Sequence, residues 1–254
     1  MLSFLALTLL VAVHLVAHRL TFLRNAPRSR SLSFAAGVSL AYVFVHLLPE
    51  LAHGQRVLGE TVERMFVLDE LAIYILALVG LLAFYGLERL LHRDPDMGKT
   101  GQGEVRAAPG GAEDHPLFWL HLAVFAVYSL IVGCLLVHQP MAPAYEDRSE
   151  TATLLVFTLA MALHFVVVDF GLRSDFPSGW RRIGRWVMSG ALILGWLAGT
   201  LVGANELFLL LITALLGGGI LLNVLKEELP RDNAARFGWL LAGAGSYLTV
   251  LAVA

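Results

Sequence analysis

Eight apolar segments, separated by short polar stretches, constrain this chain more than any other feature of its sequence. Each is roughly 20 residues long, the length that an α-helix needs to cross the hydrocarbon of a bilayer. With 57% apolar residues, 15% charged residues and a mean hydropathy of +0.72, the composition is that of a polytopic membrane protein. We therefore expect an all-α fold and a single membrane domain over residues 1–254, with spans at residues 1–22, 32–50, 69–91, 116–138, 151–172, 186–203, 205–225 and 237–254.

The basic residues alternate between the two ends of these segments. Of the 18 lysines and arginines, only Arg56, Arg64 and Arg148 lie in the gaps after the second, fourth and sixth spans. The other 15 follow odd-numbered spans: Arg19, Arg24, Arg28, Arg30, Arg89, Arg93, Lys99, Arg106, Arg173, Arg181, Arg182, Arg185, Lys226, Arg231 and Arg236. Because basic residues in short loops stay on the cytoplasmic side, both termini are predicted to lie on the extracytoplasmic side of the plasma (cytoplasmic) membrane.

The gap between the third and fourth spans has a different composition. Residues 93–115, RDPDMGKTGQGEVRAAPGGAEDH, are rich in glycine, proline and charge, which is typical of a flexible linker, here a cytoplasmic one. The chain has no phosphate-binding loop or nuclease-like pattern, so we expect the lipid bilayer as a partner and no nucleic acid. No arrangement of nucleophile, base and oxyanion donors is discernible, which argues against an enzyme.

The second apolar segment ends in a cluster of polar residues. Ser33 to Glu50 reads SFAAGVSLAYVFVHLLPE, and Gly218 to Pro230 reads GGILLNVLKEELP, with a glycine twelve positions before a proline in both. In the predicted topology the second and seventh spans cross the membrane in opposite directions. We therefore expect an inverted repeat in which spans 1–3 mirror spans 6–8, with spans 4 and 5 between them in a 3+2+3 arrangement. The alternative is a chance recurrence of glycine-rich helices that end at a proline.

These two segments resemble the ZIP family of divalent-metal transporters. Ala35 to Glu50 matches the form aaGv...HllPE of the family's second span, and Gly217 to Pro230 resembles its seventh. The resemblance implies eight spans with both termini outside and a 3+2+3 arrangement. It also implies transport of Zn²⁺ or another divalent cation, which would be a substrate, and no firm resident cofactor.

The fourth span departs from the family pattern. ZIP transporters carry HNxxDG there, as one half of a binuclear metal site. With Gly133 placed on the glycine that follows this motif, Val124, Phe125 and Tyr128 stand where the family has His, Asn and Asp. The fourth span therefore offers no metal ligand in these positions.

The fifth span keeps two of the four positions in the family's HExxHE motif. His164 and Asp169 take the first and last positions, whereas Phe165 and Val168 replace the Glu and the second His. On a helix, residues four apart share a face, while residues five apart diverge by about 140°. His164 and Asp169 are therefore expected to contribute to one pathway at different depths, with His164 near mid-span and Asp169 nearer the cytoplasm.

The candidate metal ligands are His46, Glu50, His164 and Asp169, because ionisable groups inside a bilayer are costly and usually serve a pathway. His46 and Glu50 are four residues apart and share one face at the outer end of the second span, where an arriving cation would meet them. A divalent cation must exchange its water for several ligands at once. The alternatives are a hydrated interfacial anchor at His46 and Glu50, and a cytoplasmic boundary at Asp169 marked by Arg173.

Small residues at four-residue spacing predict close helix packing on two spans. They are Gly195, Gly199 and Gly203 on the sixth span, and Gly238, Ala242 and Ser246 on the eighth. Such stripes join either neighbouring spans of one chain or two chains of a homodimer.

Two functions follow from these patterns. The first is a ZIP-like transporter that moves a divalent cation, such as Zn²⁺, by alternating access between repeat bundles. The second is a transport-inactive protein derived from a ZIP transporter, serving as a scaffold or regulatory subunit, or a carrier of a different solute. The second function predicts a dry, apolar core around Val124, Phe125 and Tyr128.

Overall fold

The described part of the chain is almost entirely helical. The computed structural model describes residues 1–16, 30–61, 71–93, 116–138, 149–201, 205–228 and 237–253, and no β-strand occurs among them. In this part, eight helices follow the order of the eight predicted spans. They are α1 (Leu2–Val16), α2 (Arg30–Tyr42, the π-helical segment Val43–Leu47, and Leu48–Thr61), α3 (Ala72–Arg93), α4 (Pro116–Leu135), α5 (Glu150–Asp175), α6 (Pro177–Gly179, the π-helical segment Trp180–Gly184, and Arg185–Leu201), α7 (Glu206–Glu228) and α8 (Phe237–Val253).

Helix length and hydropathy support a polytopic membrane protein. Five helices, α2, α3, α4, α5 and α7, are long and apolar enough to cross a bilayer, and α1 and α8 are shorter apolar helices. Large apolar side chains lie exposed on the outside of the bundle, such as Leu78 and Leu82 of α3. Contact with lipid explains such a surface, which would be unfavourable in water. The predicted linker at 93–115 lies outside the described residues, apart from Arg93 at the end of α3.

α2 is longer than the sequence predicts. The second span is predicted to end at Glu50, whereas the helix continues to Thr61. A proline within a helix lacks an N–H donor and crowds the carbonyl of the residue four positions earlier. Immediately before Pro49 the helix widens into the π-helical segment, where the N–H of Leu48 donates to the carbonyl of Val43. The wider turn accommodates the proline ring, so the predicted end at Glu50 is wrong.

Glycines bring α2 and α8 into backbone contact. Gly37 lies against the backbone of Leu240 and Ala244, and Gly243 of α8 lies against the backbone of Phe34. A Cβ atom at Gly37 would overlap the carbonyl oxygen of Leu240. The close crossing of these two helices therefore depends on glycine at both positions.

The same contact occurs between α7 and α3. Gly218 lies against the backbone of Ala77 and Leu81, and Gly80 of α3 lies against the backbone of Leu215. In both helix pairs a glycine contacts two residues that are four apart. In both pairs the partner helix also has a glycine three positions after the first contacted residue: Gly243 follows Leu240, and Gly80 follows Ala77.

A third close crossing joins α4 and α6. Gly133 lies against the backbone of Leu192, and Gly195 lies against the backbone of Leu130. Gly199 continues this contact along Cys134. Two glycines of the α6 stripe thus pack within the chain, and Gly203 lies outside the described residues. On α8 a Cβ atom at Gly238 would meet no atom within 4 Å, so a homodimer through that stripe stays a prediction.

The main hydrophobic core lies between these helix pairs. Of the eight described helices, all except α3 contribute buried residues to it, among them Leu10, Val43, Val132, Phe165 and Tyr247. Phe84 of α3 packs against its edge. The buried polar residues described below lie within or next to this core.

Candidate functional site

All four predicted ligands are buried inside the bundle. Their exposed fractions are 7% for His46, 3% for Glu50, 2% for His164 and 0% for Asp169. These values do not fit hydrated groups at a membrane interface. Ionisable groups that are buried in membrane helices usually face a partner, a cavity or a pathway.

His46 and Glu50 line a cavity between α2, α4, α5 and α7. Its volume is about 30 Å³, which is room for one or two water molecules. The two side chains face it together because they lie one helical turn apart. The cavity wall is largely apolar and includes Phe157, Met161 and Thr213.

The π-helical segment Val43–Leu47 determines the face of α2 on which His46 lies. The imidazole stacks on the ring of Tyr42, with ring centroids 5.3 Å apart and planes at 20°. Because a π-helical turn holds more residues than an α-helical turn, it rotates the residues before it relative to those after it. Pro49 thus contributes to the site by requiring a distortion one turn away.

A second buried polar pair joins α1 to α5. Nδ1 of His14 lies 3.0 Å from Oδ1 and 2.9 Å from Oδ2 of Asp169, and both side chains are 0% exposed. The imidazole N–H therefore donates to the carboxylate. The His14 ring also packs on Phe165, with centroids 4.4 Å apart. His14 is not among the ligands predicted from the sequence, although a histidine inside an apolar span is a signal in itself.

His164 lies on α5 between the cavity and the His14–Asp169 pair. Its ring centroid is 5.6 Å from that of Tyr128 on α4. Among the described residues, neither Nε2 of His164 nor the hydroxyl of Tyr128 has a hydrogen-bond partner. Buried polar atoms normally have partners, so these neighbouring atoms mark a place where water or a substrate would find ligands.

The positions on α4 and α5 to which the ZIP resemblance assigns the other metal ligands hold largely apolar side chains. Phe125 and Tyr128 are 9% and 1% exposed, and both pack edge-on against Phe84 of α3. Phe165 and Val168 of α5 are 0% and 6% exposed. These side chains fill the region to which the ZIP resemblance assigns metal ligands.

The predicted ligands therefore lie in three places. His46 and Glu50 share the cavity, His164 contacts Tyr128, and Asp169 pairs with His14. Within the described ranges, no group of three or more His, Cys, Asp or Glu residues is arranged to hold a metal ion. The arrangement offers a series of separate polar positions along the bundle.

Comparison of the chain with protein-family models and with curated proteins gives no match. The resemblance to ZIP transporters rests on the motifs in α2 and α7 and on the predicted topology.

Replacing Pro49 with alanine is expected to remove the π-helical turn at little cost to stability. The variant restores an N–H at position 49, so Val43–Leu47 can take α-helical hydrogen bonds, and the two halves of α2 rotate relative to each other. Spin labels at the exposed positions Ser31 and Glu60, in a Cys134→Ala background, report this as a shifted distance distribution. An identical distribution in the labelled parent and the variant would show that Pro49 does not cause the π-helical turn.

Proposed function

We propose that this chain is a ZIP-like integral membrane transporter that moves a metal cation, with His46 and Glu50 as the first ligands it meets. The observation that carries the proposal is an imidazole and a carboxylate buried side by side on a cavity inside an apolar bundle. In membrane proteins, such groups mark ion and substrate pathways. Zn²⁺ or another divalent cation is the substrate class that the ZIP resemblance implies.

The glycine contacts support an internal duplication. Gly37 contacts α8, and Gly218, its counterpart in the sequence repeat, contacts α3. Three residues earlier in each helix, Phe34 and Leu215 contact glycines of the same two partners. The same contact pattern also joins α4 to α6 through Gly133 and Gly195, so the pattern alone does not identify a repeat. It is the position of Gly37 and Gly218, each twelve residues before a proline, that favours a 3+2+3 arrangement in which α1–α3 mirror α6–α8 with opposite topology.

The buried polar groups are spaced along the proposed pathway. With both termini on the extracytoplasmic side of the cytoplasmic membrane, α2 runs outward and α1 and α5 run inward. His46 and Glu50 lie near the middle of the extended α2, at the level of Phe157 and Met161 of α5. On α5, which runs inward, His164 then lies closer to the cytoplasm than this cavity, and Asp169 with His14 lies closer still. A cation meets successive ligands on this route, while alternating access between the repeat bundles opens it to each side in turn.

A transport-inactive scaffold or regulatory subunit, or a carrier of a different solute, is the second candidate. It is favoured by the apolar packing of Phe125 and Phe165 where the family has metal ligands. Val124 is only partly buried, whereas Tyr128 is buried with a hydroxyl that has no partner among the described residues. The core there is therefore apolar but retains a polar atom.

Glu50→Gln is expected to reduce cation uptake at least about tenfold, since it removes the charge that stabilises a cation in the low-dielectric cavity. The assay follows entry of Zn²⁺, Mn²⁺, Fe²⁺, Cd²⁺ and Ag⁺ into liposomes containing the purified protein. Glu60→Gln is the matched control, because Glu60 lies on the same helix but is exposed. Its uptake should equal that of the parent protein.

The same assay separates the two candidates. Uptake that depends on Glu50 and not on Glu60 supports the transporter. No uptake of any of the five cations by the folded parent protein would reject metal transport and leave the second candidate. Uptake that Glu50→Gln leaves unchanged would show that the route avoids the His46–Glu50 cavity.

A further inference from the structure

A methionine also lines the cavity of His46 and Glu50 and could offer a thioether sulfur to a bound ion. Met161 of α5 is 1% exposed and lines the cavity together with these two residues of α2. A thioether is a soft ligand that selects Cu(I), whereas Mg²⁺, Ca²⁺ and Mn²⁺ prefer oxygen. Imidazole binds copper as well. The donors of this cavity therefore favour a soft cation over a hard one.

The cavity offers few ligands. Zn²⁺ sites in proteins usually have about four ligands, and Ca²⁺ takes about six to eight oxygen atoms. Within the described residues, no third His, Cys, Asp or Glu completes a group with His46 and Glu50. A soft monovalent ion requires fewer ligands, and a single sulfur and a single nitrogen suit it.

The charge of the Glu50 carboxylate also favours a monovalent cation. Among the described residues that line the cavity, Glu50 is the one carboxylate. A monovalent cation beside it forms a neutral pair, whereas a divalent cation leaves a net positive charge buried in a membrane helix bundle. An uncompensated buried charge is strongly unfavourable.

We infer that this cavity binds a soft monovalent metal cation of the Cu(I) class, with Met161 and His46 as ligands and Glu50 as the compensating charge. This inference rests on the proposed transport function, to which it adds the class of substrate. Ag⁺ has the same charge and a similar preference for sulfur, and it avoids the redox chemistry of copper. It is therefore the probe for this site.

Calorimetric titration of Ag⁺ into the full chain in lipid nanodiscs measures binding independently of transport. All proteins carry Cys134→Ala, because the free thiol of Cys134 would itself bind the ion. Met161→Leu keeps the approximate side-chain volume but removes the sulfur, and it should weaken Ag⁺ binding about 10- to 100-fold. Met188→Leu is the matched control, since Met188 is 0% exposed in a separate core cluster, and it should bind like the parent.

His46→Phe, compared with the parent by gel filtration to verify folding, should weaken Ag⁺ binding to a similar extent. Zn²⁺ should bind more weakly than Ag⁺ to the parent. Equal Ag⁺ affinities for Met161→Leu and Met188→Leu, or tighter binding of Zn²⁺ than of Ag⁺, would overturn the inference. Zn²⁺ uptake without Ag⁺ binding would overturn it while preserving transport. Ag⁺ binding that requires Met161, without uptake of any cation, would support the cavity site and reject the transport proposal.

Discussion

Asp169→Ala is expected to destabilise the protein by about 2–3 kcal/mol, the upper part of the range for leaving a buried polar group without its hydrogen-bond partner. Asp169 accepts the N–H of His14 at 2.9–3.0 Å, and neither side chain is exposed. Removing the carboxylate leaves the imidazole N–H buried without its partner. The pair also joins α1 to α5, so its loss weakens the contact between two helices. Unfolding by SDS in mixed micelles measures this change in the free energy of unfolding.

Replacing both His14 and Asp169 should reduce the free energy of unfolding less than replacing Asp169 alone. In a His14→Leu, Asp169→Leu double variant, apolar side chains fill the site and no buried polar atom of the pair is left over, so most of the lost stability should return. Thr158→Ala is the control on the same helix, because Thr158 is buried but donates only locally, to the carbonyl of Leu154 at 2.6 Å. Its cost should be about 1 kcal/mol or less. An Asp169→Ala variant no less stable than Thr158→Ala would show that the hydrogen bond between His14 and Asp169 contributes little.

The sequence predicts where the helices occur more accurately than it predicts the residues at which they end. Long apolar runs specify membrane helices directly, because the backbone has no other way to satisfy its hydrogen bonds in lipid. The end of α2 could not be predicted in this way. A proline next to a glutamate usually indicates a helix end, but the π-helical segment before Pro49 lets the helix continue to Thr61. That outcome depends on packing around α2, which sequence periodicity does not contain.

The sequence could predict only those parts of the candidate site whose residues lie close together along the chain. His46 and Glu50 share a face because they are four residues apart, and the structure places both on one cavity. The partner of Asp169 lies 155 positions away, so no local pattern identifies His14. Met161 looks like an ordinary core methionine in the sequence. Its place on the cavity of His46 and Glu50 follows only from how α2 and α5 pack.

Gly37→Ala and Gly218→Ala are each expected to cost about 3 kcal/mol, the upper end of the penalty for overpacking. The added Cβ atoms would overlap the carbonyl oxygens of Leu240 and Ala77. A backbone carbonyl in a helix cannot rotate away as a side chain can, so the helix pair must separate. SDS unfolding of each variant measures the loss. Gly86→Ala is the control, because a Cβ atom there meets no atom within 4 Å, and it should stabilise α3 by up to about 1 kcal/mol.

The comparison between the two glycines also tests the internal duplication. Gly37 and Gly218 make the same type of contact in separate helix pairs, α2 with α8 and α7 with α3. If they are equivalent positions of a repeat, their alanine variants should lose stability by amounts that agree within about 0.5 kcal/mol, and the two losses should add in the double variant. A large loss at one glycine with none at the other would mean that the two helix pairs are not equivalent. The recurrence of a glycine twelve positions before a proline in the sequence would then be a coincidence.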